Sequence, residues 1–277
     1  MTRIARISDG GASLRRILMC EPAYYGIEYE INPWMSRARQ ADPARARKQW
    51  EDLYNLLENK LGLSVSLLAP VEGVPDLVFT ANAGLVRGNT FIPSNFRHPE
   101  RRAEAPVFRR WFEKEGYDIR PLPADLPFEG EGDAIEVGGE MFCGYRLRSD
   151  IRTHVHLGEF VGKRVLSLEL VDPRFYHLDT CFCPLAEDAV ACYRPALDPY
   201  ALKVIETYVP RMVEISREDA LRFACNAVVA GKKVVLNAGC GDFRRSLRKS
   251  GYEVWETDLS EFIKAGGAAK CLVLFLD

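Results

Sequence analysis

The chain has 277 residues, of which 47% are hydrophobic and 27% are charged, a composition typical of a folded globular protein. Its 37 lysines and arginines nearly balance its 39 aspartates and glutamates, so no sequence-wide basic field would hold a nucleic acid. No apolar run approaches the roughly 20 residues that cross a bilayer, and the N-terminus has no secretory apolar segment. We therefore expect a cytoplasmic protein without nucleic-acid or membrane partners, whose eight cysteines are mostly buried free thiols.

The predicted elements alternate between strands and helices along the whole chain. Short apolar runs bounded by glycine, proline or aspartate predict strands at 17–22, 65–70, 77–86, 164–170, 189–193, 233–236, 252–257 and 271–276. Helices are predicted at about 43–61 after an Asp42 cap, around Phe108, Trp111 and Phe112, over 199–209 and briefly after Ser260. Since no linker interrupts this pattern, we predict a mixed α and β fold forming one domain over 1–277. No internal repeat is apparent, which leaves open a fold built from diverged repeats.

Four short segments carry more polar and small residues than a purely structural role needs. They are 75–84 (PDLVFTANAG), 128–133 (FEGEGD), 175–180 (FYHLDT) and 264–271 (KAGGAAKC). The acidic segment places carboxylates close together, and these repel one another unless a cation neutralises them. In an extended chain His177 and Asp179 would point to the same side, and Cys271 would stand at the start of the last strand. Taken singly, each segment has an ordinary structural explanation as a buried thiol, a satisfied polar pair or a solvated turn.

Taken together, the four segments fit the hydrolysis of a guanidinium compound. A guanidinium is a planar cation that paired carboxylates hold through charge-assisted hydrogen bonds. A thiolate can attack its central carbon, and a histidine can protonate the departing amine and then activate water, help typically worth about 10² to 10⁴ in rate. Because a free cysteine with a pKa of about 8.5 is mostly protonated at neutral pH, a cationic neighbour or the bound substrate must assist.

Over nearly its full length the sequence resembles the guanidino-group-modifying superfamily of arginine deiminases, dimethylarginine dimethylaminohydrolases and amidinotransferases. Within that superfamily it is most similar to the catalytic domain of arginine dihydrolase. The segments that carry the resemblance are 17–22 (ILMCEP), 31–35 (INPWM), 79–84 (FTANAG), 175–184 (FYHLDTCFCP) and 265–271 (AGGAAKC). The resemblance implies a five-bladed α/β propeller, the pentein fold, with strand-rich ββαβ repeats, an active site on the central axis, and no metal or cofactor.

The resemblance also implies three catalytic residues. Cys271 would be the nucleophile, His177 the general acid and base, and Glu129 the carboxylate that pairs with the histidine. Many relatives have Glu-Gly-Gly-Asp where this chain has Glu-Gly-Glu-Gly-Asp, which leaves open whether Glu129 or Glu131 is the catalytic carboxylate. The form Phe-Glu-Gly-x-Gly-Asp is dihydrolase-like and favours Glu129.

The resemblance also implies a set of residues that bind the substrate, a small guanidino compound that is either arginine or methylated arginine. Asp76 and Asp179 would hold the guanidinium, while Arg148, assisted by Arg101, would bind the α-carboxylate. The other residues assigned to substrate binding are Asn32, Asn82 and Asp133. The resemblance leaves the oligomeric state open, with a homodimer as a common state for such enzymes.

Three activities of the superfamily stay open, and Asn82 bears on the choice among them. Deiminases stop at citrulline and ammonia, dimethylarginine dimethylaminohydrolases expel dimethylamine, and dihydrolases attack again to give ornithine, carbon dioxide and a second ammonia. The first two typically carry aspartate at this position, whereas a neutral amide, both donor and acceptor, suits a neutral ureido group. We therefore predict arginine dihydrolase activity, with the other two as alternatives. Some dihydrolases have a further C-terminal domain, whose activity we expect to be absent because the sequence stops six residues after Cys271.

Three interpretations outside this chemistry have less support. The segment 234–241 (VVLNAGCG) followed by Asp258 imitates an S-adenosylmethionine-binding unit of a methyltransferase, but the nineteen later residues cannot complete a doubly wound sheet. A non-catalytic member of the same fold would be expected to lack the set of cysteine, histidine and carboxylates. The pairs His154-x-His156 and Cys181-x-Cys183 could each place two metal ligands on one strand face, without further ligands at zinc-like spacing.

Overall fold

Five three-stranded sheets follow one another along residues 15–276, the part of the chain that this computed structural model describes. The strands are β1 (Arg16–Cys20), β2 (Ser64–Leu68), β3 (Gly84–Arg87), β4 (Thr90–Pro93), β5 (Asp118–Ile119), β6 (Ala134–Val137), β7 (Glu140–Tyr145), β8 (Val165–Glu169), β9 (Phe182–Ala186), β10 (Ala189–Cys192), β11 (Arg211–Glu214), β12 (Val228–Ala230), β13 (Lys233–Asn237), β14 (Glu253–Thr257) and β15 (Leu274–Phe275). Their orders in the sheets are β15–β1–β2, β3–β4–β5, β6–β7–β8, β9–β10–β11 and β12–β13–β14. In each sheet the first-named strand is antiparallel to the middle strand, and the last-named strand is parallel to it.

A helix leads to the last-named strand of each sheet, because parallel neighbours need a crossover connection. The helices are α1 (Pro43–Leu56), α2 (Glu104–Lys114), α3 (Thr153–Val161), α4 (Pro199–Tyr208), α5 (Arg217–Ala220), α6 (Gly241–Lys249) and α7 (Ser260–Ile263). Helix α1 begins as the sequence predicts, since the Asp42 side chain accepts a hydrogen bond from the Arg45 N–H. None of the helices in the described residues has the length and apolar content needed to cross a bilayer.

The end of the chain completes the first sheet. Strand β15 pairs antiparallel with β1, so that Phe275 lies opposite Ile17 and Leu274 opposite Leu18. Each of the five repeats then consists of two strands, a helix and a third strand. This arrangement confirms the predicted five-bladed α/β propeller. The fold is therefore built from diverged repeats, a possibility that the sequence left open.

The inner strand of each sheet, its first-named strand, is preceded by a segment that carries the polar motifs. Three of these segments are 3₁₀ turns, Thr80–Ala83 before β3, Gly130–Gly132 before β6 and Leu178–Thr180 before β9. Gly130 has a φ of 64°, and a Cβ there would lie 2.6 Å from the carbonyl oxygen of Ala81. Glycine is therefore required where the first two turns pack against each other.

Two predicted strands are shorter than the sequence indicates. Only the end of 77–86 is strand, because Pro75–Val78 and Thr80–Ala83 form 3₁₀ turns. Only Leu274–Phe275 of 271–276 is strand, and Cys271 lies in a turn before it. Both segments are almost wholly buried, and a continuous apolar run does not alternate in a way that separates a strand from a buried turn.

Two further predictions of local geometry were wrong. The chain is not extended through Asp179, because Leu178–Thr180 is a 3₁₀ turn. His154 and His156 lie on helix α3 and not on a strand, so residues two apart do not share a face. The prediction against a methyltransferase is confirmed, since that segment contributes β13, α6 and β14 to a blade whose three-stranded sheet has an antiparallel member and is not doubly wound.

Candidate active site

The turns before the inner strands enclose a small cavity at one end of the propeller axis, here called the front chamber. It is lined by Ile31, Asn32, Met35, Asp76, Phe79, Asn82, Arg101, Arg148, Tyr176, Ala265, Gly267 and Cys271. Its volume of about 10 Å³ is the space for one water molecule. This volume is too small for a ligand the size of arginine.

Cys271 is held by two side chains from other blades. The Asn226 Oδ1 accepts hydrogen bonds from the N–H groups of Cys271, at 3.0 Å, and Ala268, at 3.1 Å. The Asn226 Nδ2 lies 3.1 Å from the Cys271 Sγ. The thiol can donate to Asp179, whose Oδ2 lies 3.6 Å from the sulfur. The position and the direction of the sulfur are therefore both fixed by hydrogen bonds.

The electrostatic environment keeps the Cys271 thiol protonated while the chamber is empty. Burial raises the pKa of Cys271 well above its usual value, and the Asp179 carboxylate raises it further. Burial also raises the pKa of Asp179 to about 7, although the Lys270 cation opposes this shift. A cation placed beside both groups would lower both pKa values. The site is consequently suited to a substrate that brings its own positive charge.

His177 belongs to a buried chain of charged groups. Its Nε2 lies 2.8 Å from the Glu129 Oε2, and Arg148 Nη1 donates to that same oxygen at 2.9 Å. Burial by itself would raise the pKa of Glu129, but Arg148 and His177 outweigh it and hold the pKa well below its usual range. Glu129 therefore stays ionised and orients the imidazole.

Asp133 is not among the residues that line the front chamber, and it makes its hydrogen bonds to Ser149 and to the turn that follows His177. Its Oδ2 accepts a hydrogen bond from the Ser149 hydroxyl at 2.6 Å, and its Oδ1 accepts one from the Leu178 N–H at 3.0 Å. Burial raises the pKa of Asp133 to about 6. Both oxygens are thus engaged in fixing the turn that follows His177.

A second buried charge group forms the opposite wall. Arg101 makes a two-pronged ion pair with Glu104, at 2.6 and 2.8 Å, and its Nη1 donates to the Asn82 Oδ1 at 2.9 Å. Asp76 is 2% exposed, and its Oδ1 has no hydrogen-bond partner within the described part of the chain. Since a buried carboxylate oxygen without a partner is costly, Asp76 offers a free acceptor to a ligand. Arg101, by contrast, has its guanidinium already occupied.

Asn32, in the loop between β1 and α1, and Tyr176, in the segment before β9, also line the chamber. The Asn32 Nδ2 donates to the Ala265 carbonyl at 3.0 Å, and the Tyr176 hydroxyl donates to the Gly266 carbonyl at 2.8 Å. Arg148 stacks 4.5 Å from the Tyr176 ring centre. Asn32 therefore ties this loop to the glycine-containing segment before Cys271.

The two glutamates of the acidic segment point in different directions. The Glu129 carboxylate contacts His177, whereas the Glu131 carboxylate pairs with Lys270, whose Nζ is 2.8 Å from its Oε2. The geometry therefore favours Glu129 as the partner of the histidine.

Asn226 is a site residue that sequence reasoning missed. A signal was present, because Phe223-Ala224-Cys225-Asn226-Ala227 repeats the spacing of Phe79-Thr80-Ala81-Asn82-Ala83. Both asparagines precede inner strands, β12 and β3, at equivalent places in their blades. Aligning these two segments would have revealed the repeat and placed Asn226 in the site.

Metal-binding groups are not found among residues 15–276, where no three histidine, cysteine or acidic side chains are arranged to hold an ion. All eight cysteines are buried free thiols. In His154, the Nδ1 lies 2.7 Å from the Ser167 hydroxyl, and burial lowers the pKa of the imidazole to about 4. This histidine is a neutral core residue at physiological pH.

Comparisons with known proteins agree with this geometry. A family model described as N,N dimethylarginine dimethylhydrolase, eukaryotic, matches residues 28–276. The chain belongs to this family. The N(G),N(G)-dimethylarginine dimethylaminohydrolase of Mycobacterium tuberculosis is 39% identical over 94% of this chain and 85% of its own. Membership in the dimethylarginine dimethylhydrolase family confirms the resemblance to the guanidino-group-modifying superfamily.

Two bifunctional relatives are also similar to this family member. The arginine dihydrolase/ornithine cyclodeaminase AgrE of Nostoc sp. is 46% identical over 94% of this chain, which spans 37% of the length of AgrE. The crystal structure of the product-bound N-terminal domain of ArgZ, an arginine dihydrolase from cyanobacteria, matches with a TM-score of 0.92 and 43% identity. That match covers 96% of this chain and 98% of the ArgZ domain.

Proposed function

We propose that this chain is a cysteine hydrolase of arginine that releases ornithine, carbon dioxide and ammonia. One observation carries the proposal: the Cys271 thiol lies between the Asp179 carboxylate and a buried chamber in which Asp76 keeps a free acceptor oxygen. A guanidinium placed there would meet the Asp76 carboxylate and the Cys271 sulfur, with the Asp179 carboxylate next to that sulfur. The similarity to AgrE and to the ArgZ domain supports arginine as the substrate.

The first half of the reaction follows from these positions. Ionised Asp76 and Asp179 hold the guanidinium, and its positive charge favours the Cys271 thiolate. The thiolate attacks the guanidinium carbon, and His177 gives a proton to the nitrogen that leaves as ammonia. The product is an amidino-thioether, with the carbon bound to sulfur. His177, oriented by Glu129, then takes a proton from water, and the resulting hydroxide displaces the sulfur to give citrulline.

A second round on the same carbon would distinguish a dihydrolase. The thiolate attacks the ureido carbon of citrulline, and a second ammonia leaves. Water hydrolyses the resulting thiocarbamate to a carbamate, which loses carbon dioxide and leaves ornithine. Asn82 lines the chamber where a deiminase typically has a carboxylate, and its amide suits the neutral ureido group.

Counting the products of arginine turnover tests the proposal. Purified protein is incubated with arginine, and ammonia, citrulline and ornithine are quantified, with Cys271→Ser as the blank. Two ammonias and one ornithine per arginine are expected. One ammonia with accumulating citrulline would instead identify a deiminase and contradict the dihydrolase assignment.

Hydrolysis of methylated arginine is the second candidate activity. The family match and the 39% identity to the enzyme of Mycobacterium tuberculosis favour it. The same assay with asymmetric dimethylarginine measures dimethylamine and citrulline. Release of dimethylamine with no turnover of arginine would replace the first proposal by this one.

The wider context of the enzyme is part of the proposal. We propose that 1–277 acts as one catalytic domain, which is supported by the pairing of β15 with β1. The small guanidino substrate is the partner inferred here. The cytoplasmic location stays a prediction from the sequence, and the resemblance leaves the oligomeric state open.

A further inference from the structure

A second, larger cavity lies behind the nucleophile. It has a volume of about 680 Å³ and is lined by parts of β3, β6, β9, β12 and β15, the inner strands of all five sheets. We call it the rear cavity, since it lies at the other end of the strands from the front chamber. Asp179 contributes to its wall and also contacts the Cys271 sulfur. The wall between the two cavities therefore consists of Cys271 and Asp179 at the nucleophile.

An ion pair faces the rear cavity directly behind this wall. The Lys270 Nζ lies 2.8 Å from the Glu131 Oε2 and donates to the Val273 carbonyl at 3.0 Å. The same Glu131 oxygen accepts a hydrogen bond from the Phe275 N–H at 3.2 Å. Both side chains of the pair are 14% exposed. Lys270 is thus anchored to the segment that follows its neighbour Cys271.

The charge of Lys270 acts on the groups in front of it. Burial raises the pKa of Asp179 and of Cys271, and the lysine cation opposes the rise in both cases. Asp179 itself raises the pKa of the thiol. Glu131 counteracts the lysine because it raises the pKa of Asp179.

The two arginines of the front chamber are each already paired with a glutamate. The charged and titratable groups around Cys271 are Asp76, Arg101, Arg148 and Tyr176 in the lining of the front chamber, and Asp179, Lys270 and Glu131 in the lining of the rear cavity. On the front side Arg101 is neutralised by Glu104, and Arg148 by Glu129. Lys270 is covalently next to the nucleophile and is neutralised by a partly exposed carboxylate. The rear pair is therefore the place where one substitution changes the charge near the sulfur without emptying the front chamber.

We propose that Lys270 is a positioning residue that favours the Cys271 thiolate from the rear, and that Glu131 limits this effect by neutralising the lysine. This inference rests on the proposed function in so far as Cys271 is its nucleophile. The two members of this ion pair therefore have opposite effects on the fraction of Cys271 that is thiolate. A purely structural pair would not behave in this way, because removing either partner would disturb the same contact.

Alkylation of Cys271 by iodoacetamide measures the thiolate directly. The rate is followed by mass spectrometry of the Cys271 peptide, without arginine, over a neutral to alkaline pH series. At each pH, Lys270→Met is expected to lower the rate about tenfold and Glu131→Gln to raise it by a similar factor, each corresponding to roughly one pKa unit. Lys270→Arg keeps the cation and is expected to remain close to the wild-type rate.

Changes in the same direction for both variants, or no change in either, would overturn the inference. If Lys270→Met does not fold, as judged by its melting temperature, the rise in Glu131→Gln decides by itself, and its absence refutes the inference. The assay does not depend on turnover. Opposite shifts in a protein that leaves arginine intact would refute the proposed function alone, whereas arginine turnover without opposite shifts would refute this inference alone.

Discussion

The two ends of the propeller axis are built differently, although the same five inner strands connect them. The front chamber has a volume of about 10 Å³, and its wall contains two buried arginines, each in an ion pair with a buried glutamate. The rear cavity has about 680 Å³, with partly exposed lysine and glutamate side chains. Since a charge interacts more strongly where water is excluded, chemistry that depends on fixed charges belongs at the front. The rear can adjust that chemistry only through the groups in the dividing wall.

The two glutamates of the acidic segment should give the largest difference in kcat between variants, because Glu129 contacts His177 and Glu131 pairs with Lys270 at the rear cavity. Glu129→Gln removes the charge that orients His177, and we expect kcat to fall by about 10²- to 10³-fold. Glu131→Gln, the matched variant at the rear, should change kcat by less than about tenfold. Steady-state rates with arginine measure both. Equal losses of kcat in the two variants would contradict the difference between the front chamber and the rear cavity.

Gly132 tests how closely the front wall is packed. A Cβ at this position would lie 2.4 Å from the Asn82 Nδ2 and 3.3 Å from the His177 Cγ. Gly132→Ala should therefore displace site residues and lower kcat about tenfold or more. Gly26→Ala is the control, because a Cβ there meets nothing within 4 Å. Equal rates in the two alanine variants would show that the wall tolerates displacement.

Asp179, which lines the rear cavity and contacts the Cys271 sulfur, should give arginine binding its pH dependence. Its pKa is raised to about 7, so the carboxyl is increasingly neutral as the pH falls below 7 and loses its attraction for the guanidinium. We expect the Kd of arginine to rise by up to about tenfold per pH unit below this pKa. Calorimetry on Cys271→Ser measures binding without turnover. A pH dependence that persists unchanged when Asp179→Asn is added would assign it to another group.

Asn82 should alter the products more than the rate. Asn82→Asp places a carboxylate beside Arg101, which suits a cationic guanidinium better than a neutral ureido group. Ammonia released per arginine should fall from about two towards one while citrulline accumulates. The total consumption of arginine serves as the internal control. An unchanged product ratio would show that Asn82 does not govern the second round.

The sequence predicts the architecture and the polar residues better than it predicts local conformation. The helix after Asp42 begins as expected because its cap is a local interaction. The segments around Asn82 and Cys271 were predicted as strands, although their apolar character reflects burial in turns. Tertiary burial leaves no periodic signature in such short runs. For the same reason the sequence could not reveal that Asp133 supports the turn behind His177 without reaching the chamber.

The pairing of β15 with β1 has a consequence for biosynthesis. The first sheet is completed by Leu274–Phe275, so its inner position is filled by residues that are synthesised after the strands of the other four sheets. Cys271 and the support it receives from Asn226 come into place in that same event. A nascent chain that has made the other four blades still lacks a positioned thiol. Catalytic competence and closure of the ring are thus acquired together, which ties activity to a completed fold.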